Sequence, residues 1–349
     1  MRYKKYMGLV MAAALAVAVV GCGNEREENM AAYRQMGINC METGDYAGAV
    51  TAFDSALGQC IGQIGEEELD ICYYKAAAQY VSGDVEGAMD TYTSLIAYDF
   101  KEADAYYLRG CLYLHQGDAE KAKADFDQAI KYNSDDYELY IHIYENLSGY
   151  GMTADAESYL NKAFSIKGSN AKDQAYRGEI YFLLGQYDNA AVELAAAVEG
   201  GNTDANFYLG QAYEARGEEA NAQACYQAYI DAGAADAESL NAIGEIMLKK
   251  GSYAEALSYF EQAMEQEEIP NRRTLLQNLI IAYEYNGDFA SAWSIVQEYV
   301  SLYPEDAEAQ REYLFLQNRQ AQPETASDTP EDTTSEESTE SVESTENQQ

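Results

Sequence analysis

The chain has 349 residues and a formal net charge of −38, with 60 acidic against 22 basic residues. That balance excludes a nucleic-acid backbone as the natural ligand, because phosphate affinity comes from basic clusters that this chain lacks. It also opposes electrostatic adsorption to anionic lipid, and leaves a basic partner, divalent cations or simple colloidal solubility as its uses.

In chain order, Arg2, Lys4 and Lys5 come first and precede a weakly polar to apolar run over residues 7–20. This is the basic start and short hydrophobic core of a secretory signal. The run falls short of the roughly 20 residues that span a bilayer, so it predicts no stable transmembrane helix. It ends in Val19-Val20-Gly21-Cys22, which resembles a bacterial lipobox. The resemblance implies removal of residues 1–21 and a diacylglyceryl group on Cys22, and two acyl chains suffice for durable anchoring. A plain signal peptide is the alternative. The expected location is the extracytoplasmic face of the cell membrane, with residues 22–29 as lipidated N-terminus and linker, of which residues 23–29 reach at most roughly 25 Å.

From residue 30 the chain is periodic. Glycine recurs at Gly44, Gly83, Gly117, Gly151, Gly185, Gly217, Gly251 and Gly287, in steps of 39, 34, 34, 34, 32, 34 and 36. Five residues after each stands Ala49, Ala88, Ala122, Ala156, Ala190, Ala222, Ala256 or Ala292. Nine residues after each stands a large side chain: Phe53, Tyr92, Phe126, Leu160, Leu194, Tyr226, Phe260 or Val296. Seven residues before each lies a small-residue column, Gly37, Ala76, Gly110, Gly178, Gly210 and Gly244, broken by Tyr144 and Ile280. These columns predict helix pairs: a left-handed glycine ends each first helix, and small residues let the second approach closely, with the large residue filling the space beside the contact. The repeats with Tyr144 and Ile280 are expected to pack less tightly.

In Tyr106-x-Leu108-Arg109-Gly110-x-x-Tyr113-x-x-x-Gly117-Asp118-x-x-x-Ala122-x-x-x-Phe126-x-x-Ala129 the chain resembles the tetratricopeptide repeat family nearly residue for residue. The period agrees with the roughly 34 residues of such repeats. The resemblance covers residues 30–319. It implies an all-α fold: a right-handed superhelical solenoid of about eight helix-turn-helix repeats with a C-terminal capping helix. The longest step, between Gly44 and Gly83, implies an insertion around residues 60–68, flanked by Cys60 and Cys72 as candidates to bridge it. With Cys22 lipidated, five cysteines remain, an odd number, so at least one thiol is free or pairs between molecules.

Ligands of that family commonly lie in a groove lined by first-helix positions that point away from the second helix. Carried over to this sequence, the partner-binding set is Tyr73, Tyr80, Tyr107, Leu114, Ile141, Phe182, Phe207, Gln211, Asn241 and Glu245, with Glu145, Glu179 and Glu214 beside them. The groove thus reads as aromatic toward the N-terminus and acidic toward the C-terminus. Arg34 is almost alone among basic residues there, which disfavours C-terminal carboxylates as ligands.

Residues 320–349 are rich in Glu, Ser, Thr and Asp, and from residue 321 onward contain nine acidic and no basic residues. Such a segment buries too little apolar surface to offset its ordering entropy, and is expected to be disordered. Setting aside that tail and the three basic residues at the N-terminus leaves the body at −32.

Motifs for catalysis are absent: no Gly-x-Ser-x-Gly, no His-Glu-x-x-His, no phosphate loop and no Cys-x-x-Cys. His115 and His142, the only histidines, read as interface or solvent positions rather than metal ligands, and no cofactor is expected. The sequence therefore reads as a membrane-anchored, non-enzymatic scaffold or adaptor in envelope assembly, secretion or cell-wall processes. Its expected partner is a protein or peptide carrying basic and apolar side chains. The alternative is a glycan- or wall-polymer-binding surface lipoprotein.

Overall fold

The computed structural model describes residues 25–60 and 64–320. The stretch read as a signal sequence, Cys22, residues 61–63 within the expected insertion and the acidic segment from residue 321 lie outside the described residues. The described residues contain 17 α-helices in tandem. They fall into two compact units, divided between Ala234 and Ala235.

The first unit holds six helix pairs. These are α1 (Glu25–Glu42) with α2 (Tyr46–Leu57), α3 (Glu66–Val81) with α4 (Val85–Tyr98), and α5 (Ala103–His115) with α6 (Ala119–Tyr132). They are followed by α7 (Tyr137–Gly149) with α8 (Thr153–Ala163), α9 (Ala171–Leu183) with α10 (Tyr187–Glu199), and α11 (Ala205–Ala215) with α12 (Glu219–Asp231). The second unit holds α13 (Ala237–Lys249) with α14 (Tyr253–Met264), α15 (Arg272–Tyr285) with α16 (Phe289–Leu302), and the closing helix α17 (Ala307–Gln320). Within each unit most helices pack on their neighbours in sequence, and first helices also touch across repeats, as α7 does α9 and α9 does α11. Eight pairs and a cap match the expected repeat count. Helix α1 begins five residues earlier than expected, inside the stretch read as linker. No described helix is long and apolar enough to cross a membrane.

The turn inside each pair is built by two adjacent residues. Gly117 ends α5 with φ of 80°, and the next N–H, that of Asp118, donates back to the Tyr113 carbonyl at 2.8 Å. This pattern satisfies carbonyls that the helix end leaves open. Asp118 then caps α6, its carboxylate accepting from the Lys121 amide at 3.2 Å. Gly44-Asp45, Gly83-Asp84 and Gly287-Asp288 repeat the device.

Packing within a pair follows from the two remaining columns. All eight alanines after the turns are fully buried. The large residues, however, do not sit beside the small column; they sit on it. A Cβ at Gly37 would fall 2.4 Å from the Phe53 ring, and the same clash separates Gly178 from Leu194, Gly210 from Tyr226 and Gly244 from Phe260. Sealing a side chain such as Phe53 or Phe260 from water contributes about 1.5–3 kcal/mol. Where the column carries Tyr144 or Ile280, the opposing residue is the smaller Leu160 or Val296, and both are fully buried. Burial of the large residue is thus kept where the small column is broken. Tyr144 stays half-buried and sends its hydroxyl to the Leu183 carbonyl at 3.3 Å.

Helix α17 closes the second unit, with Leu316 fully buried beside Leu276, Val296 and Tyr299. Asp306, just before it, accepts from the Tyr299 hydroxyl at 2.6 Å and from Arg273 Nη2 at 2.9 Å. These donors, with the Ala309 amide, hold its carboxyl well below the usual carboxylate range. Cys40, Cys60, Cys72, Cys111 and Cys225 are all unbridged, so the insertion is not closed by a Cys60–Cys72 disulfide.

Candidate functional site

The first-helix residues expected to line the groove divide by burial. Five are inside the core: Tyr73, Tyr107, Leu114 and Ile141 in the first unit, and Asn241 in the second. The cause is the next repeat, whose first helix covers them. Tyr73 packs with Ala105 and Leu112 of α5, and Tyr107 and Leu114 pack with Leu139 and Ile143 of α7. Their polar ends are also committed. The Tyr73 hydroxyl donates to Glu102 Oε1 at 2.8 Å, and the Asn146 amide donates to the Tyr107 hydroxyl at 2.9 Å. Burial first, then Glu102, pushes the Tyr73 hydroxyl far above its ordinary pKa. Asn241 donates to Glu245 Oε1 at 2.9 Å and accepts from Asn278 at 2.9 Å, a knot that ties α13 to α15. The expectation that Tyr73 and Tyr107 present an aromatic lining is therefore corrected: they are core residues.

Tyr80, Phe182, Phe207, Gln211 and Glu245 retain exposed area. Tyr80 is exposed and meets His115 edge-on at 5.6 Å. His142 is held on its own helix, its Nδ1 2.7 Å from the Glu138 carbonyl. Phe182 and Phe207 flank Tyr208, with ring centroids 5.7 and 5.2 Å from it.

Around these rings α7, α9 and α11 bring together residues that the sequence reading did not single out. The Tyr176 hydroxyl donates to Glu138, and the Tyr208 hydroxyl to Glu179. Burial, then Glu179, with Glu145 adding to it, pushes the Tyr208 hydroxyl well above its usual pKa, so negative charge is concentrated here. Between α9 and α11 opens a cavity of about 340 Å³ whose walls include Lys172, Tyr176, Glu179, Asn202, Asp204 and Tyr208. A signal for the tyrosines exists in the sequence. Tyr74, Tyr176 and Tyr208 all stand two residues before the small-residue column, a register that faces the preceding repeat.

Carboxylates beside aromatic faces suit a cation: the ring quadrupole and the anion attract it together. Among the described residues no group of three or more His, Cys, Asp or Glu is arranged to hold a metal ion.

Family models match two stretches of the chain, both described as tetratricopeptide repeat, over residues 103–136 and 208–270. The chain thus contains tetratricopeptide repeats. Among solved structures it is similar to a tetratricopeptide repeat protein from Parabacteroides merdae, at 16% identity and a TM-score of 0.49, covering 73% of this chain and 99% of that one. It is also similar to Pseudomonas aeruginosa pilF, at 18% identity and a TM-score of 0.39, covering 62% and 97% respectively. A third similar structure is PilW, described as a widely conserved type IV pilus biogenesis factor, at 15% identity and a TM-score of 0.42, covering 69% and 96%. No curated protein matches the sequence.

Proposed function

We propose that this protein is a lipid-anchored, extracytoplasmic adaptor that recruits a basic partner protein through the first-helix face of its repeats. Tetratricopeptide repeats generally bind proteins or peptides, and the repeats here supply the scaffold. The observation that carries the partner's chemistry is the α7–α9–α11 surface. There Glu138 accepts from Tyr176, Glu179 and Glu145 act on Tyr208, and Phe182 and Phe207 flank that ring, with Lys172 and Asp204 in the wall of the adjoining cavity. Such a surface favours an extended or helical segment carrying lysine or arginine together with apolar side chains. The lipobox resemblance at Cys22 supports the anchor, and the acidity of the body leaves acyl chains, not charge, as the attachment. Processes of envelope assembly, secretion or cell-wall remodelling fit an adaptor in that position.

A photo-crosslinking residue placed at Phe182 or Phe207 in cells tests the role. Capture of one basic protein from these positions, weakened by salt, supports it. Capture only from Tyr253 or other positions outside the face, or co-sedimentation with purified wall polymer and no captured protein, overturns it. Metabolic labelling with palmitate tests the anchor: Cys22→Ala is expected to lose the label, and retention would sink that part.

A further inference from the structure

The terminal helices of a stacked array each lack a neighbour on one side, and such caps ordinarily present a polar outer face to water. Helix α1 does so: its exposed positions include Arg26, Glu27, Glu28, Gln35 and Asn39, and Met36 is the only exposed large apolar side chain described there. Helix α17 departs from the rule. Leu314 and Phe315 are 55% and 51% exposed, and they stand between the exposed Arg311 and Asn318. Positions 311, 314, 315 and 318 form one stripe at the spacing of a helix that packs on another helix. The opposite face of α17, with Ala309 and Leu316, is already buried on the second unit.

Register identifies what that stripe is built to receive. Leu314 stands eight residues after Asp306, as Gly110 stands eight after Glu102 and Gly244 eight after Asp236. It therefore occupies the small-residue column, on which Phe126 and Phe260 of the second helices lie in their own pairs. Helix α17 is a first helix whose second helix is not among the described residues. The sequence that follows lacks the material for one. Residues 321–349 contain no glycine and no aromatic residue, and Val342 is their one large aliphatic side chain.

Charge narrows the occupant. Over most of the body, at −32, a second copy is repelled and a basic partner attracted. Along α15 and α17 the balance reverses: Arg272, Arg273, Arg311 and Arg319 stand against Glu284, Glu308 and Glu312. A basic segment gains nothing at this end, and a second copy of the chain meets least repulsion there.

We infer that α17 docks on α17 of a second copy, antiparallel across a two-fold axis between Leu314 and Phe315. A two-fold contact uses the same patch twice, so the patch has to complement itself. This one does: Leu314 of each copy packs on Phe315 of the other, and Arg311 faces the side-chain carbonyl of Asn318. One helix face lies at the small end of specific interfaces, so the dimer is weak and comes apart on dilution. The inference stands apart from the adaptor reading, which concerns α7, α9 and α11.

The test places p-benzoylphenylalanine at position 318 of the full chain in its host membrane, with two differently tagged copies expressed together. Irradiation is expected to give an adduct of twice the chain mass that carries both tags, with the crosslink mapped to the stretch around Arg311 of the other copy. The same label at Val192, an exposed apolar position on α10, is expected to give none. Leu314→Glu and Phe315→Lys, both at exposed positions, are each expected to cut the doubly tagged adduct at least tenfold at an unchanged melting temperature. A copy with Leu314→Glu expressed beside a copy with Phe315→Lys is expected to recover it, because each glutamate then meets a lysine across the axis. Capture of a different protein from position 318 without any doubly tagged adduct would overturn the inference. So would an adduct undiminished in Leu314→Glu, or a mixed pair that fails to recover.

Discussion

Gly110 lies directly against the Phe126 ring: a Cβ at position 110 would stand 2.6 Å from Phe126 Cε1 and 3.2 Å from the Ala122 carbonyl oxygen. The ring is fully buried and the carbonyl belongs to a helix, so neither moves away cheaply. Gly110→Ala is expected to destabilise by about 1–3 kcal/mol despite the better helix propensity of alanine. The pair should also couple: Phe126→Val makes room, and a double-mutant cycle by urea unfolding should return at least about 0.5 kcal/mol of interaction. Strict additivity would mean that the glycine is there for another reason.

Tyr73 and Tyr107 invite a different reading of substitution. Both are core residues with hydroxyls engaged across the repeat boundary, to Glu102 and Asn146. Tyr73→Ala is expected to lower stability by about 3–5 kcal/mol, as large-to-small core changes do. Tyr73→Phe keeps the volume and loses one hydrogen bond, about 1 kcal/mol. Partner capture, measured well below the melting temperature, should be unchanged in Tyr73→Phe. A selective loss of capture in a variant that melts normally would return Tyr73 to the binding surface.

The repeat architecture was legible because its columns are local. Gly117 and Ala122 are five residues apart, and Gly110 and Phe126 share one helix pair, so spacing alone specifies the contact. The face that meets a partner was not legible to the same degree. Whether Tyr107 is exposed depends on Leu139 and Ile143, which arrive with the following repeat. Tyr176 and Tyr208 were passed over because they look like more of an abundant residue. Only their register relative to Gly178 and Gly210 distinguishes them.

Thiol reactivity gives a chemical check on packing. Burial pushes the Cys72 thiol up to about 11 and the Cys111 thiol up to about 12. The thiolate is the reacting form, so alkylation of Cys72 by iodoacetamide at pH 8 should run about a hundredfold slower than that of an ordinary exposed thiol. Mass spectrometry of timed digests measures it. The protection should vanish in concentrated urea, and equal rates in folded and unfolded protein would show that these helices are not sealed as described.

The second unit carries its own pH dependence. Glu284 of α15 is raised to about 8, first by burial and then by a hydrogen bond and repulsion from Glu312 of α17, with Arg319 pulling the other way. One of its oxygens is buried without a hydrogen-bond partner, which is tolerable for a protonated carboxyl and costly for a charged one. The folded protein therefore holds a proton that the unfolded chain releases near its ordinary value of 4.5. More protons in the folded state mean stability that is full below about 4.5 and is lost as pH rises through about 8. Because the pair is partly open to water, the loss should be about 1 kcal/mol and not the full linkage value. Trp293, the chain's single tryptophan, packs against Tyr313 of α17 at 4.8 Å, so its fluorescence reports unfolding of this unit. In urea titrations at a series of pH values, Glu284→Gln should flatten this component, and at pH 8 the variant should be more stable than the native chain. A variant that is less stable than the native chain at pH 8, or that leaves the profile unchanged, would mean that Glu284 is ionised and satisfied in the fold.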